Sequence, residues 1–525
     1  MYWPQLQTAY QTVAFHGTRH PDKRAILCEG RTMTYGELHR ESNRTANAIR
    51  AAGLGRGARV GYLGLESERY YEIFFACAKS ETVLVPINWR LTAGEVDHIL
   101  RDAGAEMLFV EREFLANVTA KQKDLQKLRL VVDMDGEGEL GSAYQTWKAG
   151  HSAADLMPTT GVNDPVIQLY TSGTTGLPKG AVLAHRSFFQ MAPAFAEQHL
   201  DWVDWRPDDI NLIGMPGFHI GGIWWAMQGF NAGVPNACMR VFRSRDAVQL
   251  IRELGITTSF LVPAMLYMIL AEPREGNHVF KTLRKICYGA SPISETLQRE
   301  CLEVFGCELA NLYGLTEIAL VVCLPPKDHG IGSKRIRAAG LPFPGVDMKI
   351  IDPSGNVLPT GVVGEICLRS SSVMLEYWGM KKATESTIVN GWLHTGDAGY
   401  VDQDGYLYIS DRIKEMIIVA GQNVYPAEVE NELCKHPAVA ETAVVGAPDD
   451  RWGEAIHAFV VLRPGAEASP RQLMMSMRGI IADFKIPTQY HFIDKVPRNP
   501  SGKILRRILR SQLQAEAEAK AKAKT

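Results

Sequence analysis

The residues best equipped for chemistry form the string LYTSGTTGLPKG, Leu169 to Gly180, where an apolar strand runs into three glycines, four Ser/Thr hydroxyls and one lysine. Glycines let backbone amides converge on an anion, hydroxyls add donors, and Lys179 supplies a point charge. The string departs from the Walker pattern, because neither Ser nor Thr follows the lysine. From residue types alone, phosphate binding and an ordinary flexible loop are equally good readings. Glu317 ends NLYGLTE and suits Mg²⁺, which takes one or two carboxylates together with nucleotide phosphates, although a solvated turn glutamate reads as well. Asp397 in HTGD can accept hydrogen bonds from a diol or simply form a turn. On its own, Lys503 in NPSGK is a solvated loop charge, and His219 in GFHIGG is a core histidine.

Positioning these groups falls to alternating helices and strands. Thr34 with Glu37, and Thr92 with Glu95, have capping-box spacing, so each opens a helix, the first closing on Gly53. The strand-like runs ARVGYLG, TVLVPIN and EMLFVE lie around them, and the alternation continues from Val166 to about Ile350, predicting a mainly parallel α/β sheet. From Asp352 to Tyr408, Gly-containing turns separate short strands, as in an antiparallel layer or barrel. The remainder reads as a compact α+β unit with Pro426 at the first position of a helix, strands ETAVVGA and AIHAFVVL, and a helix around Arg471 to Asp483. The tail LQAEAEAKAKAKT lacks a hydrophobic face and reads as a frayed or disordered end.

At 525 residues the chain exceeds one domain of roughly 100–200 residues. Its 46% hydrophobic and 22% charged content is that of a soluble protein, and no apolar run reaches the ~18 residues of a membrane span. A net charge of −2 disfavours nucleic acid as a partner. Nine cysteines without a C-x-x-C pair read as reduced thiols, and no secretory signal is evident at the start, so a cytoplasmic location is expected.

The phosphate-loop string resembles the signature of the adenylate-forming superfamily: acyl-CoA synthetases, coumarate-CoA ligases, luciferases and peptide-synthetase adenylation domains. Further matching strings follow in the family's order: MPGFHIGG, YGASP, NLYGLTE, GWLHTGDAGYVDQDGYLYISDRIKEMI and PRNPSGKILRR. The resemblance implies a large N-terminal adenylation domain, 1–412, of parallel α/β sheets with a small barrel-like layer. It also implies a small mobile α+β domain, 413–525, that carries the catalytic lysine. ATP, Mg²⁺ and CoA would serve as cofactors and co-substrate, with a small carboxylic acid as substrate. The reaction implied is acyl-AMP formation followed by thiol attack.

By the same resemblance Lys503, Thr316, His219 and Lys179 are catalytic, with Lys503 stabilising the charge that develops at the α-phosphate. Thr171, Ser172, Gly173, Thr174, Thr175, Gly176 and Lys179 would hold phosphates, and Thr171 with Glu317 the metal. Gly289, Ala290, Ser291, Asn311, Tyr313, Gly314 and Thr316 would border the nucleotide. Asp397 and Arg412 would contact ribose, with Ile409 and the hinge residue Lys414 nearby. His219, Ile223, Trp224, Val262, Tyr288, Gly289 and Ala319 would line the acid pocket, where Trp224 and Trp225 read equally as tunnel wall or core. A largely apolar lining favours a medium- or long-chain fatty acid; an aryl or steroid acid, and a carrier protein in place of CoA, are the alternatives. Ala420 and Gln422 depart from the Gly-Glu usual in related ligases. A homodimer and peripheral membrane contact are compatible with the sequence.

Overall fold

The computed structural model describes residues 3–119, 125–135, 144–171, 178–189, 191–273, 276–291, 293–330, 332–419, 422–449, 451–498 and 504–522. Among them, seven strands form one sheet in the order Glu376–Tyr377, Lys179–Ala184, Pro165–Thr171, Val83–Ile87, Arg59–Leu63, Met107–Val110 and Leu130–Asp133. A nine-stranded sheet has Asn211–Ile213, Thr258–Leu261, Lys285–Gly289 and Glu308–Leu315 side by side and parallel, with Ala319–Leu324 turned back antiparallel. Helix Glu68–Ser80 is buried at every residue from Tyr70 onward, and helix Ile220–Ala232 at every residue from Gly221 onward. Such helices, covered all round, must lie inside the protein. They meet where Tyr71 and Phe75 pack on Phe230, within a single core shared by both sheets. Both capping boxes form, opening Tyr35–Ala51 and Ala93–Ala103.

Asp347–Ile351, Gly364–Arg369, Ile388–Val389, Trp392–Val401 and Leu407–Arg412 make a curled antiparallel half-barrel, the Gly-rich layer expected from the turns. The C-terminal α+β unit has a sheet of Ile417–Val419, Gln422–Val424, Val439–Asp449, Gly453–Leu462 and Gln489–Phe492. Its own core includes Val424, Val429, Leu433, Ile456 and Leu473. Helix Pro426–Leu433 starts at the predicted proline. The helix expected around Arg471–Asp483 instead spans Pro470–Met477, because Arg478 is extended and Gly479 takes a left-handed φ of +78°. The chain's last helix, Arg506–Lys522, is anchored by buried Leu509 and Leu513 against Phe459 and Val445. Their four-residue spacing gives this helix a contact face that the Ala/Glu/Lys tail by itself lacks. No helix among the described residues is long and apolar enough to cross a membrane.

Candidate active site

The strands flanking the phosphate-type string pair antiparallel, Thr171 on Pro165–Thr171 opposite Lys179 on Lys179–Ala184. Ser172, Gly173, Thr174, Thr175 and Gly176 lie outside the described residues. The short strand Glu376–Tyr377 adds beside this strand pair, with Tyr377 opposite Ala181. Tyr377 is the residue the motifs missed. Its hydroxyl donates to Glu317 Oε1 at 2.6 Å, and Lys179 Nζ lies 5.2 Å from its ring centroid. Burial, then the Glu317 charge, hold the phenol well above its ordinary pKa, so it remains a donor. Backbone contacts reinforce the arrangement, Trp378 N donating to Gly180 O and Met374 N to Glu317 O.

Thr316 and Glu317 occupy the turn that joins Glu308–Leu315 to Ala319–Leu324. That turn is tight: a Cβ on Gly314 would sit 1.8 Å from Ala319 O, and Ala319 itself takes φ +61°. The half-buried Glu317 carboxylate, oriented by Tyr377 and lying on the side reached by Lys179, fits Mg²⁺, which needs few protein ligands once phosphates are present. Thr171 has a hydroxyl at the end of the same strand pair.

A second polar cluster forms on the half-barrel. Asp397 and Arg412 are register partners on adjacent strands, and Arg412 Nε meets Asp397 Oδ1 at 2.6 Å. Tyr313 Oη donates to Asp397 Oδ2 at 2.7 Å, joining the nine-stranded sheet to the half-barrel. Burial opposes the Arg412 charge, yet Asp397, Tyr313 and Glu317 together hold its pKa above the ordinary value. Below them Glu365 accepts from Gly396 N at 3.1 Å and lies 3.0 Å from His394 Nδ1, bracing the turn that presents Asp397. These two residues and Cys367 bring metal-type ligand atoms within 4.8 Å of one another. Both Glu365 oxygens are already engaged in holding that turn. Asn311 Nδ2 reaches Ala339 O at 3.4 Å, and Ile409 is 37% exposed on the strand that ends at Arg412.

The expected acid pocket divides between two faces of one sheet. His219 is the residue before helix Ile220–Ala232, half-buried, with its ring 4.7 Å from that of Phe218. Ile223, Trp224 and Trp225 follow, all fully buried. Trp225 Nε1 donates to Asn211 Oδ1 at 2.6 Å, and its ring packs on Trp205 and Phe260. Gly289 faces this side too, where an added Cβ would lie 3.4 Å from Phe260 and 2.1 Å from Leu312 O; Ala290 turns at φ +66° with Ser291 beyond it. Buried Val262 precedes helix Pro263–Ala271. Tyr288 does not join them. Successive strand residues point to opposite faces, and the Tyr288 hydroxyl accepts from Gln298 Nε2 at 2.8 Å and lies 3.0 Å from His329 Nε2. The Tyr288 side chain thus lies on the other face of the sheet from Phe260 and Trp225, held by Gln298 and His329.

Lys503 and Ala420 lie outside the described residues, as does the Lys414 side chain. On either side of that segment, Arg498 bridges to Ile504 and pairs with Glu441, and Arg506 Nη2 meets half-buried Glu430 at 2.6 Å. Arg510 pairs with Glu415 of the short turn Ile413–Glu415, linking the last helix to the segment after Arg412.

Comparison with known proteins identifies the family. A family model described as AMP-binding enzyme matches residues 13–378, and one described as AMP-binding enzyme C-terminal domain matches 428–503. The chain is 58% identical over 514 residues to a fatty acid–[acyl-carrier-protein] ligase, ScoC, of Streptomyces coeruleorubidus, covering 98% of each chain. It is 35% identical to a feruloyl-CoA synthase of Amycolatopsis sp., over 93% of this chain and 95% of that one. The anthranilate CoA ligase AuaEII, solved in complex with anthranoyl-AMP, superposes with a TM-score of 0.89 at 27% identity, covering 98% of each chain. The chain belongs to the AMP-binding enzyme family, the adenylate-forming superfamily, and is an acid–thiol ligase.

Proposed function

We propose that this ligase activates a medium- or long-chain fatty acid as acyl-AMP and passes the acyl group to a phosphopantetheine thiol, that of a carrier protein in the leading reading and of CoA in the second. The observation that carries the proposal is the division of the site into a polar nucleotide side, Lys179–Tyr377–Glu317 and Tyr313–Asp397–Arg412, and an apolar side from His219 to Trp225. Likeness over 98% of both chains to a carrier-protein ligase supports the first acceptor. The feruloyl-CoA synthase supports the second, together with a ring acid as a further reading for the substrate.

A thiol cannot displace oxide from a carboxylate, so the acid is first made a mixed anhydride. A carboxylate oxygen attacks the α-phosphorus, a C–O–P linkage forms, and the P–O bond to pyrophosphate breaks. Asp397 accepts from the ribose hydroxyls, with Tyr313 and Arg412 fixing its oxygens; Thr316 borders the α-phosphate, and Lys179 meets phosphate charge. Bound Mg²⁺, with Glu317 as ligand, would neutralise phosphate charge. Lys503 supplies a cation to the developing pentacoordinate centre, a contribution of about 3–4 kcal/mol for electrostatic groups of this kind. In the second step sulfur attacks the acyl carbon, the thiol proton is lost, and AMP leaves. The C-terminal unit, taken as 413–525, rotates between the steps about Lys414 and withdraws Lys503, so one cleft serves both reactions. Nine free thiols, most of them buried, fit a reducing cytoplasmic setting.

The test is product formation from ATP and a panel of fatty, cinnamic, benzoic and steroid acids, with a holo-carrier protein, CoA or neither as acceptor. Acyl-carrier formation peaking on a medium or long chain is expected. Acyl-CoA formation with an inert carrier selects the second acceptor, and a peak on a ring acid overturns the fatty-acid assignment.

A further inference from the structure

The loop that delivers His219 is held by a buried group that no motif includes. Glu66 is 6% exposed and stands just before helix Glu68–Ser80. Its Oε2 accepts from Gly217 N at 2.8 Å, while its Oε1 accepts a short hydrogen bond from Tyr71 Oη. The other side of the same residue is held as well, Tyr70 Oη donating to Gly217 O at 2.8 Å. Both polar groups of Gly217 are thus gripped from one helix terminus. The grip tolerates only glycine, since a Cβ at 217 would lie 2.4 Å from the Tyr70 ring. Two residues later, His219 O accepts from the amides of Gly222 and Ile223 and starts the buried helix that carries Trp224 and Trp225.

A carboxylate this deeply buried is costly unless it has a task or full compensation. Here its two oxygens serve one hydroxyl and one loop amide, and that amide belongs to the segment facing the acid. We propose that Glu66, with Tyr70, is a positioning residue for acid binding: it fixes the Gly217 peptide and through it His219 and the first turn of helix Ile220–Ala232. The inference rests on the reading of that loop as the mouth of the acyl channel.

Steady-state kinetics of Glu66→Ala, Glu66→Gln, Tyr70→Phe and His219→Ala, with the fatty acid and ATP varied separately, test it. Glu66→Ala raises the KM for the acid about tenfold, as expected when a buried amide loses its acceptor, and leaves the KM for ATP unchanged. Glu66→Gln, which keeps an acceptor for Gly217 N, restores most of the acid affinity; Tyr70→Phe shows a smaller rise of the same kind. Equal rises for acid and ATP, or Gln behaving as Ala, would overturn the positioning role in favour of a general structural one. If His219→Ala leaves the acid's KM unchanged, the acyl-channel reading fails and the inference falls with it. If His219→Ala raises that KM and neither Glu66→Ala nor Tyr70→Phe does, the channel reading stands and the positioning role fails.

Discussion

The proposed nucleotide side and the proposed acid side are built on opposite principles. On the nucleotide side, charged and hydroxyl groups from three sheets meet pairwise across long stretches of chain, Tyr313 with Asp397 and Tyr377 with Glu317. Burial first, and then the neighbouring carboxylates Asp397 and Glu317, push the phenols of Tyr313 and Tyr377 above their ordinary pKa. On the proposed acid side stands one buried apolar helix, Ile220–Ala232, with its Trp225 held by Asn211 and the preceding Gly217 held by Glu66. The polar side can tune charge, which phosphoryl chemistry needs. The apolar side can tune shape, which selection among acids needs. Changes on the first should slow adenylation for every acid, whereas changes on the second should alter which acid is used.

The contrast is broken most severely at Lys503. Lys503→Ala should nearly abolish acyl-AMP formation with every acid while sparing thioester formation from supplied acyl-AMP; equal damage to both half-reactions would remove Lys503 from the first step. Asp397→Asn should come next, raising the KM for ATP by about 10–100-fold, the range for losing hydrogen bonds to a charged acceptor, with acid preference unaltered. Tyr377→Phe deletes only the hydroxyl on Glu317 and should cost about five- to tenfold in kcat/KM for ATP. A shifted acid profile in that variant would contradict the division.

The smallest effect concerns stability. Burial pushes the Glu66 carboxyl up from an ordinary 4.5 to about 7, against the hydrogen bonds from Tyr71 and Gly217. A carboxyl that binds its proton more tightly when folded contributes stability fully below its unfolded pKa, and this is lost as pH rises through the folded value. Relative to Glu66→Gln, the wild-type protein should therefore lose on the order of 1–3 kcal/mol between pH 4.5 and 7 and change little above that. Urea unfolding of both proteins across this range measures the difference.

Much of this organisation is legible in the sequence because it is local. The two capping boxes, the Pro426 helix start and the Gly-rich half-barrel turns depend on residues within a few positions of each other. The glycine and hydroxyl composition singles out the segment between Thr171 and Lys179, whose flanking strands pair antiparallel. The contacts that no motif marks are long-range: Tyr377 lies 60 residues from Glu317, and Glu66 lies 151 from Gly217. No periodicity links such pairs. Tyr288 shows a second limit. Its motif does not say which face of its strand the ring takes; alternation along the strand puts it on the Leu261 side, away from Phe260.

The most direct test of the central claim is acid-dependent exchange of pyrophosphate into ATP with no thiol present, measured for the wild-type protein with a fatty acid and with a cinnamate. The division into an adenylating side and an acid-selecting side predicts rapid exchange that requires the acid, favours the fatty chain and needs neither CoA nor carrier. Exchange that appears only after a thiol is added, or that proceeds equally with both acids, would contradict it.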